Sequence, residues 1–157
     1  WQGGGDMIEV VTFEGSTWAE PPARFEAGTP NISGAVGLGA AADWMIETGR
    51  EAIAAHEGQL LAAATRGIKD LDGVRVVGTA VPKAGVLSFV VDGLHAHDVG
   101  TLLDEQGVGV RTGHHCTMPL LAALGVDTTA RASFAAYNTM QDVERFVEGV
   151  EKVLRFR

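Results

Sequence analysis

The sequence predicts an α/β fold in which helices pack against a small sheet. Three observations lead there. From Ser33 onward, segments of helical period and short apolar runs follow one another in the order α-α-β-β-α-β-α-β-α, the pattern of helices layered on a sheet. Val86 to Val91 is an apolar run broken only by Ser88, as in a buried strand. The segment from Thr139 places Val143, Phe146, Val147, Val150, Val153 and Leu154 on one helical face.

Taken in order, residues 1–33 stand apart. They hold three of the five prolines (Pro21, Pro22, Pro30) and a glycine triplet, and only Met7 to Phe13 has strand character. A stretch of ~30 residues with so little regular structure is uncommon inside a compact domain. It is expected to pack on another domain or on a partner subunit. Ser33 is positioned to cap a small-residue helix, Val36 to Glu47. Thr48 and Glu51 read as a capping box opening a second helix, with Ile53, Leu60, Leu61, Ala64, Ile68 and Leu71 at helical spacing and a stop at Asp72-Gly73. Val74 to Val77 and Val86 to Val91 read as strands. His95 to Gln106 reads as a helix stopped by Gly107, and Val108 to Arg111 as a brief strand leading to the loop Thr112 to Thr117. Met118 to Leu124 is a short helix with Pro119 in its first turn, where a missing N–H costs nothing. Ala130 to Ala135 is the last strand.

Composition narrows the function classes. The 157 residues are enough for one domain with a full core and an appended arm. With 46% apolar and 20% charged residues, the chain has globular composition. Twenty acidic against twelve basic residues, a formal net charge of -8, argue against gripping a phosphate backbone. No apolar run approaches the roughly 18 residues of a membrane span. The single cysteine excludes an internal disulfide and fits a reducing compartment, so a cytoplasmic location is expected. The sequence opens at Trp1, not Met, and runs directly into Gly3-Gly4-Gly5, which reads as the interior of a longer protein.

The densest reactive cluster is Arg111-Thr112-Gly113-His114-His115-Cys116-Thr117-Met118-Pro119. Cys116 lies just before a helix start, with Thr117 as the expected cap, where unsatisfied N–H groups favour a thiolate. Arg111 adds to that bias, and His114 and His115 are candidates for proton transfer. These are the ingredients of a nucleophilic thiolate on a pliable loop. The plain alternative is an inert buried cysteine. A zinc site combining His114, His115 and Cys116 with His95 or His97 is a further option, but no CxxC or HxxxH spacing supports it, and no metal is expected. Arg111 and Arg131 fall at strand ends between small residues, where rigid guanidinium forks suit bidentate capture of a carboxylate. Gly3-Gly4-Gly5 and Gly28-Thr29-Pro30 could cradle a phosphate through backbone N–H groups, or serve simply as turns.

These residues together resemble the C-terminal portion of a cysteine desulfurase. The motifs are Arg111-Thr112-Gly113-His114-His115-Cys116, then Pro119, Arg131-Ala132-Ser133 and Tyr137-Asn138-Thr139, preceded in the same order by Gly3-Gly4-Gly5-Asp6-Met7-Ile8 and Arg24-Phe25-Glu26-Ala27-Gly28-Thr29-Pro30-Asn31. The likeness is to the group II branch serving SUF-type iron–sulfur cluster assembly, which includes selenocysteine lyase-like enzymes. It implies a fold-type I pyridoxal-phosphate transferase of aminotransferase class V. Such an enzyme acts as a homodimer, takes sulfur from L-cysteine or selenium from selenocysteine, and passes it to an acceptor protein of the SUF system. By that likeness Cys116 is the nucleophile that carries the persulfide. Arg131, and less directly Arg111, hold the substrate carboxylate, and Thr29 reaches the cofactor phosphate of the partner subunit. Residues 1–33 would close the large cofactor domain, and residues 34–157 would be a linking helix and the small C-terminal domain.

One departure matters. Pyridoxal phosphate is held covalently by a lysine, and the chain has only Lys69, Lys83 and Lys152, none in the Ser-x-His-Lys context of the family. The anchoring lysine, the ring-stacking histidine and the aspartate for the pyridine nitrogen are unaccounted for, so this chain alone is expected to be inactive. The alternative reading is a cofactor-free sulfur-relay or protein-binding module that uses Cys116.

Overall fold

The computed structural model describes residues 2–157. The chain divides into two compact units, Trp1–Thr48 and Gly49–Arg157.

In the first unit, strands β1 (Ile8–Val11) and β2 (Ser16–Trp18) form an antiparallel hairpin. The expected strand at Met7 to Phe13 is thus shorter. Its partner went unread because Ser16-Thr17-Trp18 is too brief to show alternation. Thr12 closes the turn: its N–H donates to the Gly15 carbonyl at 2.8 Å and its hydroxyl accepts from the Gly15 N–H at 3.2 Å. Two of the glycine-bearing motifs meet here. The Asp6 N–H donates to the Ala27 carbonyl at 3.3 Å, and a Cβ on Gly4 would run into that same carbonyl. Helix α1 (Ile32–Thr48) follows, with every side chain exposed. Its first turn is capped by Asn31, whose Oδ1 accepts from the Gly34 N–H at 2.9 Å. Ser33, expected as the cap, lies inside the helix, and its hydroxyl donates to the same Asn31 oxygen.

The second unit opens with helix α2 (Arg50–Ile68). The expected Thr48/Glu51 capping box does not form. Thr48 is still helical as the last residue of α1, and Gly49, at φ 88°, makes the break that only glycine adopts without strain. Then come β3 (Val74–Val77), β4 (Val86–Val91), α3 (Ala96–Asp104), β5 (Arg111–Gly113), α4 (Met118–Ala123), β6 (Thr129–Ser133) and α5 (Met140–Val153). The strands form one antiparallel sheet in the order β3-β4-β6-β5. Strand β5 begins where the sequence predicted it to end. Val108 is held in the turn after α3, its N–H bonded to the Leu103 carbonyl at 3.0 Å with Gly107 at φ 74°, so pairing starts only at Arg111.

Period two decides the rest. Leu87, Phe89 and Val91 of β4, with Ala130 and Ala132 of β6, point into a core shared with Leu60, Ala64 and Ile68 of α2, Val99 and Leu103 of α3, and Val143, Phe146, Val150 and Val153 of α5. Phe89 and Phe146 meet edge to face with ring centroids 5.7 Å apart. The alternate residues, Val86 and Ser88 of β4 and Thr129, Arg131 and Ser133 of β6, stand on the opposite face of the sheet. That face carries the polar chemistry.

Candidate active site

The site is built where β5 gives way to α4. Arg111 pairs in register with Arg131 across the antiparallel β5–β6 ladder. Residues directly opposite share a face, so both arginines project from the same side of the sheet, although only Arg131 lines the cleft beneath it. Like charges opposite one another are unfavourable unless an anion lies between them. Among the described residues, neither arginine has an acidic ion-pair partner. Arg131 Nε is moreover buried with no hydrogen-bond partner. An orphaned, charged donor of that kind is costly, and a carboxylate satisfies it.

Cys116 stands one turn away. The chain reverses over His114–Thr117, closed by the Thr117 N–H donating to the His114 carbonyl at 2.9 Å. Its two central residues, His115 and Cys116, both take positive φ, 54° and 61°. Left-handed backbone costs a non-glycine residue roughly 1–2 kcal/mol, so the turn holds local strain. Three contacts offset it. The Cys116 N–H donates to His114 Nδ1 at 3.1 Å, and the Thr117 hydroxyl donates to the His114 carbonyl at 3.1 Å. The third is His115, whose Nε2 lies 2.8 Å from Thr129 Oγ1 and 3.1 Å from the Thr129 carbonyl. Thr117 was expected to cap α4 through its hydroxyl; it occupies that position but its hydroxyl closes the preceding turn instead. Cys116 itself is exposed in this chain, unlike the buried residue of the plain alternative.

The two imidazoles differ. His114 is exposed, and its Nδ1 accepts a backbone proton, so in the neutral ring Nε2 carries the N–H. His115 is half-buried, with its pKa lowered from 6.5, chiefly by desolvation, against the raising effect of its bond to Thr129; Arg131, Arg111 and His114 add repulsion. A carbonyl can only accept, so His115 Nε2 carries the proton there and Nδ1 is left as a buried lone pair without a partner.

His115, Thr117, Thr129, Arg131, Ser88 and Lys83 line a cleft of about 330 Å³ with an otherwise apolar wall that includes Val77, Val86 and Leu121. Thr129 and Ser88 were not singled out from sequence, and Lys83 entered only as a lysine outside the family's anchoring context. Alternation along β6 puts Thr129 on the Arg131 face, and that was the available signal. His95 acts as a cap, its Nδ1 accepting from the His97 N–H at 3.2 Å at the start of α3. Among the described residues no three His, Cys, Asp or Glu side chains converge as a metal cluster would. Thr29 is exposed in the first unit, in the loop before α1.

The cleft does not fit a pyridoxal-phosphate cradle by itself. Its lining includes no carboxylate to face a pyridine nitrogen, and its one lysine, Lys83, donates from Nζ to the Gly78 carbonyl at 2.9 Å. Lys69 lies 3.8 Å from Asp70, and Lys152 is exposed on α5. What the cleft does hold is Arg131, a candidate anion anchor, with His115 and Thr117 of the Cys116 turn at its wall.

The sequence profile of the aminotransferase class-V family matches residues 1–146. The chain belongs to the aminotransferase class-V family. It is 52% identical over 155 residues to a probable cysteine desulfurase of Mycobacterium leprae, covering 98% of this chain and 37% of that protein. The fold superposes on the Escherichia coli cysteine desulfurase CsdA in its S-sulfonic acid form with a TM-score of 0.81 at 38% identity, covering 99% of this chain and 39% of that one. The apo cysteine desulfurase of Thermococcus onnurineus gives 0.80 at 42% identity, covering 98% and 39%. The chain therefore spans little more than a third of the length of these relatives. As expected, its α/β fold corresponds to the C-terminal part of a fold-type I enzyme.

Proposed function

We propose that this chain is the C-terminal part of a cysteine desulfurase of the SUF type, and that Cys116 is the residue that receives sulfur. The observation that carries this reading is the juxtaposition just described. A guanidinium with an unpartnered buried Nε lies on the open sheet face, and an exposed thiol sits on a strained turn pinned to the same strand. The names of the similar proteins support it.

In this reading Arg131, assisted by Arg111, binds the substrate carboxylate and orients L-cysteine in the cleft. The Cys116 thiolate bonds to the substrate sulfur, the substrate C–S bond breaks, and its electron pair stays with the carbon skeleton. That skeleton leaves as alanine after protonation, and Cys116 keeps a persulfide. His114, anchored beside Cys116 through its Nδ1, is the imidazole placed to take the thiol proton, on that nitrogen once the Cys116 N–H releases it. Pyridoxal phosphate, which supplies electron withdrawal when bound, would be held by parts of the protein beyond this chain, with Thr29 contributing to the phosphate of a partner subunit in a homodimer. The chain alone would then be inactive. Residues 1–33 would complete the cofactor domain and residues 34–157 the small domain. In the cytoplasm, the persulfide would pass to a SUF acceptor protein.

The test is to incubate the full-length enzyme with cysteine and map sulfur by peptide mass spectrometry. One added sulfur on the Cys116 peptide, lost in Cys116→Ala, is the expected result. A persulfide that persists elsewhere in that variant overturns the assignment.

A further inference from the structure

From sequence, His115 is a candidate for proton transfer or, less well supported by spacing, a zinc ligand. Its surroundings suit a different task. Its ring turns away from solvent to meet Thr129, a residue with 0% exposure, and one nitrogen engages both the carbonyl and the hydroxyl of that residue. Thr129 lies two residues from Arg131, on the same face of β6. His115 also precedes Cys116 inside the turn where both residues take positive φ. Among the described residues, this is the one side-chain hydrogen bond by which the turn is fastened to the strand that carries Arg131. A strained backbone persists only where its surroundings over-determine it.

We propose that His115 is a positioning residue: it clamps the cysteine-bearing turn onto β6 and thereby sets where the Cys116 thiol stands relative to Arg131. This rests on the roles given above to Cys116 and Arg131. Its role is geometric. The Nε2–H that makes the clamp is committed to Thr129, so this ring's exchangeable proton is not the one delivered to substrate or thiol. Because Arg131 is held by the strand and not by the turn, loosening the clamp leaves carboxylate binding intact and misplaces only the sulfur acceptor.

Three variants test this: His115→Ala, His115→Gln, whose side-chain amide can donate to Thr129, and Thr129→Val, which removes the hydroxyl without changing shape. Two readouts need no activity. Nitrogen NMR of the parent should show His115 as the Nε2–H tautomer. The Thr117 amide, which closes the turn, should exchange roughly tenfold faster in His115→Ala, the size expected of one lost hydrogen bond, and near the parent rate in His115→Gln. In the full-length enzyme, His115→Ala should lower kcat by about 10- to 100-fold with KM for cysteine unchanged, as a sub-ångström to ångström misplacement does. Gln should restore most of it, and Thr129→Val should fall between. Unchanged exchange in both His115→Ala and Thr129→Val, an Nδ1–H tautomer, or a rise in KM equal to the fall in kcat would overturn the clamp. If exchange and tautomer behave as expected while the parent enzyme puts no sulfur on Cys116, the clamp stands and the proposed function fails.

Discussion

Arg131 concentrates the argument at the scale of single residues. It pairs with Arg111 across the ladder and lacks an acidic partner among the described residues, so in the proposed reading its binding energy is reserved for a ligand. Arg131→Lys keeps the charge but loses the fork. In the full-length enzyme it should raise KM for cysteine by about 10- to 100-fold, the worth of a charge-assisted hydrogen bond, measurable by steady-state alanine release. His115 supplies a pH prediction. Its folded pKa is lowered below 6.5, so the unfolded chain takes up a proton more readily. Stability should be full above pH 6.5 and fall as pH drops from there toward the folded pKa. Urea unfolding across that range should show the fall, and His115→Gln should flatten it. Sequence made the reactive cluster legible, including Arg111, His114 and Cys116. It did not reveal that His115 turns inward, because that depends on a strand fourteen residues further on.

Among the elements, α5 was the most legible. Its apolar face is one of the walls of the core, and its start is a capping box: the Thr139 hydroxyl accepts from the Asp142 N–H at 3.3 Å, and Asp142 Oδ2 accepts from the Thr139 N–H at 2.8 Å. Thr139→Ala should destabilise the fold by about 1 kcal/mol in chemical denaturation. The Thr139 N–H, and with it the Thr139 hydroxyl donating to the same Asp142 Oδ2 at 3.1 Å, lower the Asp142 pKa below 3.8, so the cap's contribution is full above that value and is lost as pH falls below it. Phe89→Ala, which empties the point where β4 meets α5, should cost about 3–5 kcal/mol by the same measurement. Strand β5 and the α1/α2 junction were read less well. In both, a backbone turn at a positive-φ glycine moved the boundary: Gly107 delays β5, and Gly49 ends the capping role expected of Thr48.

Across the molecule the two units differ in how they bury apolar surface. The core of the second unit is continuous through α2, α3, α5 and the sheet. In the first, Met7 is the one buried hydrophobic residue among those described, while Val36, Leu38, Trp44 and Ile46 of α1 are exposed. The expectation that the N-terminal stretch packs on something outside the chain was drawn from its prolines and glycines. The exposed face of α1 extends that expectation through Thr48, which the helix's small-residue composition had suggested only as close helix contact. In hydrogen exchange on this chain, amides of residues 2–48 should exchange faster than those of β4, β6 and α5. Protection of α1 equal to that of α5 would mean that it is covered within this chain or by a second copy.

The most direct measurement is a single turnover of the full-length enzyme with one equivalent of sulfur-labelled cysteine. Alanine and label on Cys116 should then appear together, in equal amounts. Alanine released with free labelled sulfide, and none retained on Cys116, would contradict the account.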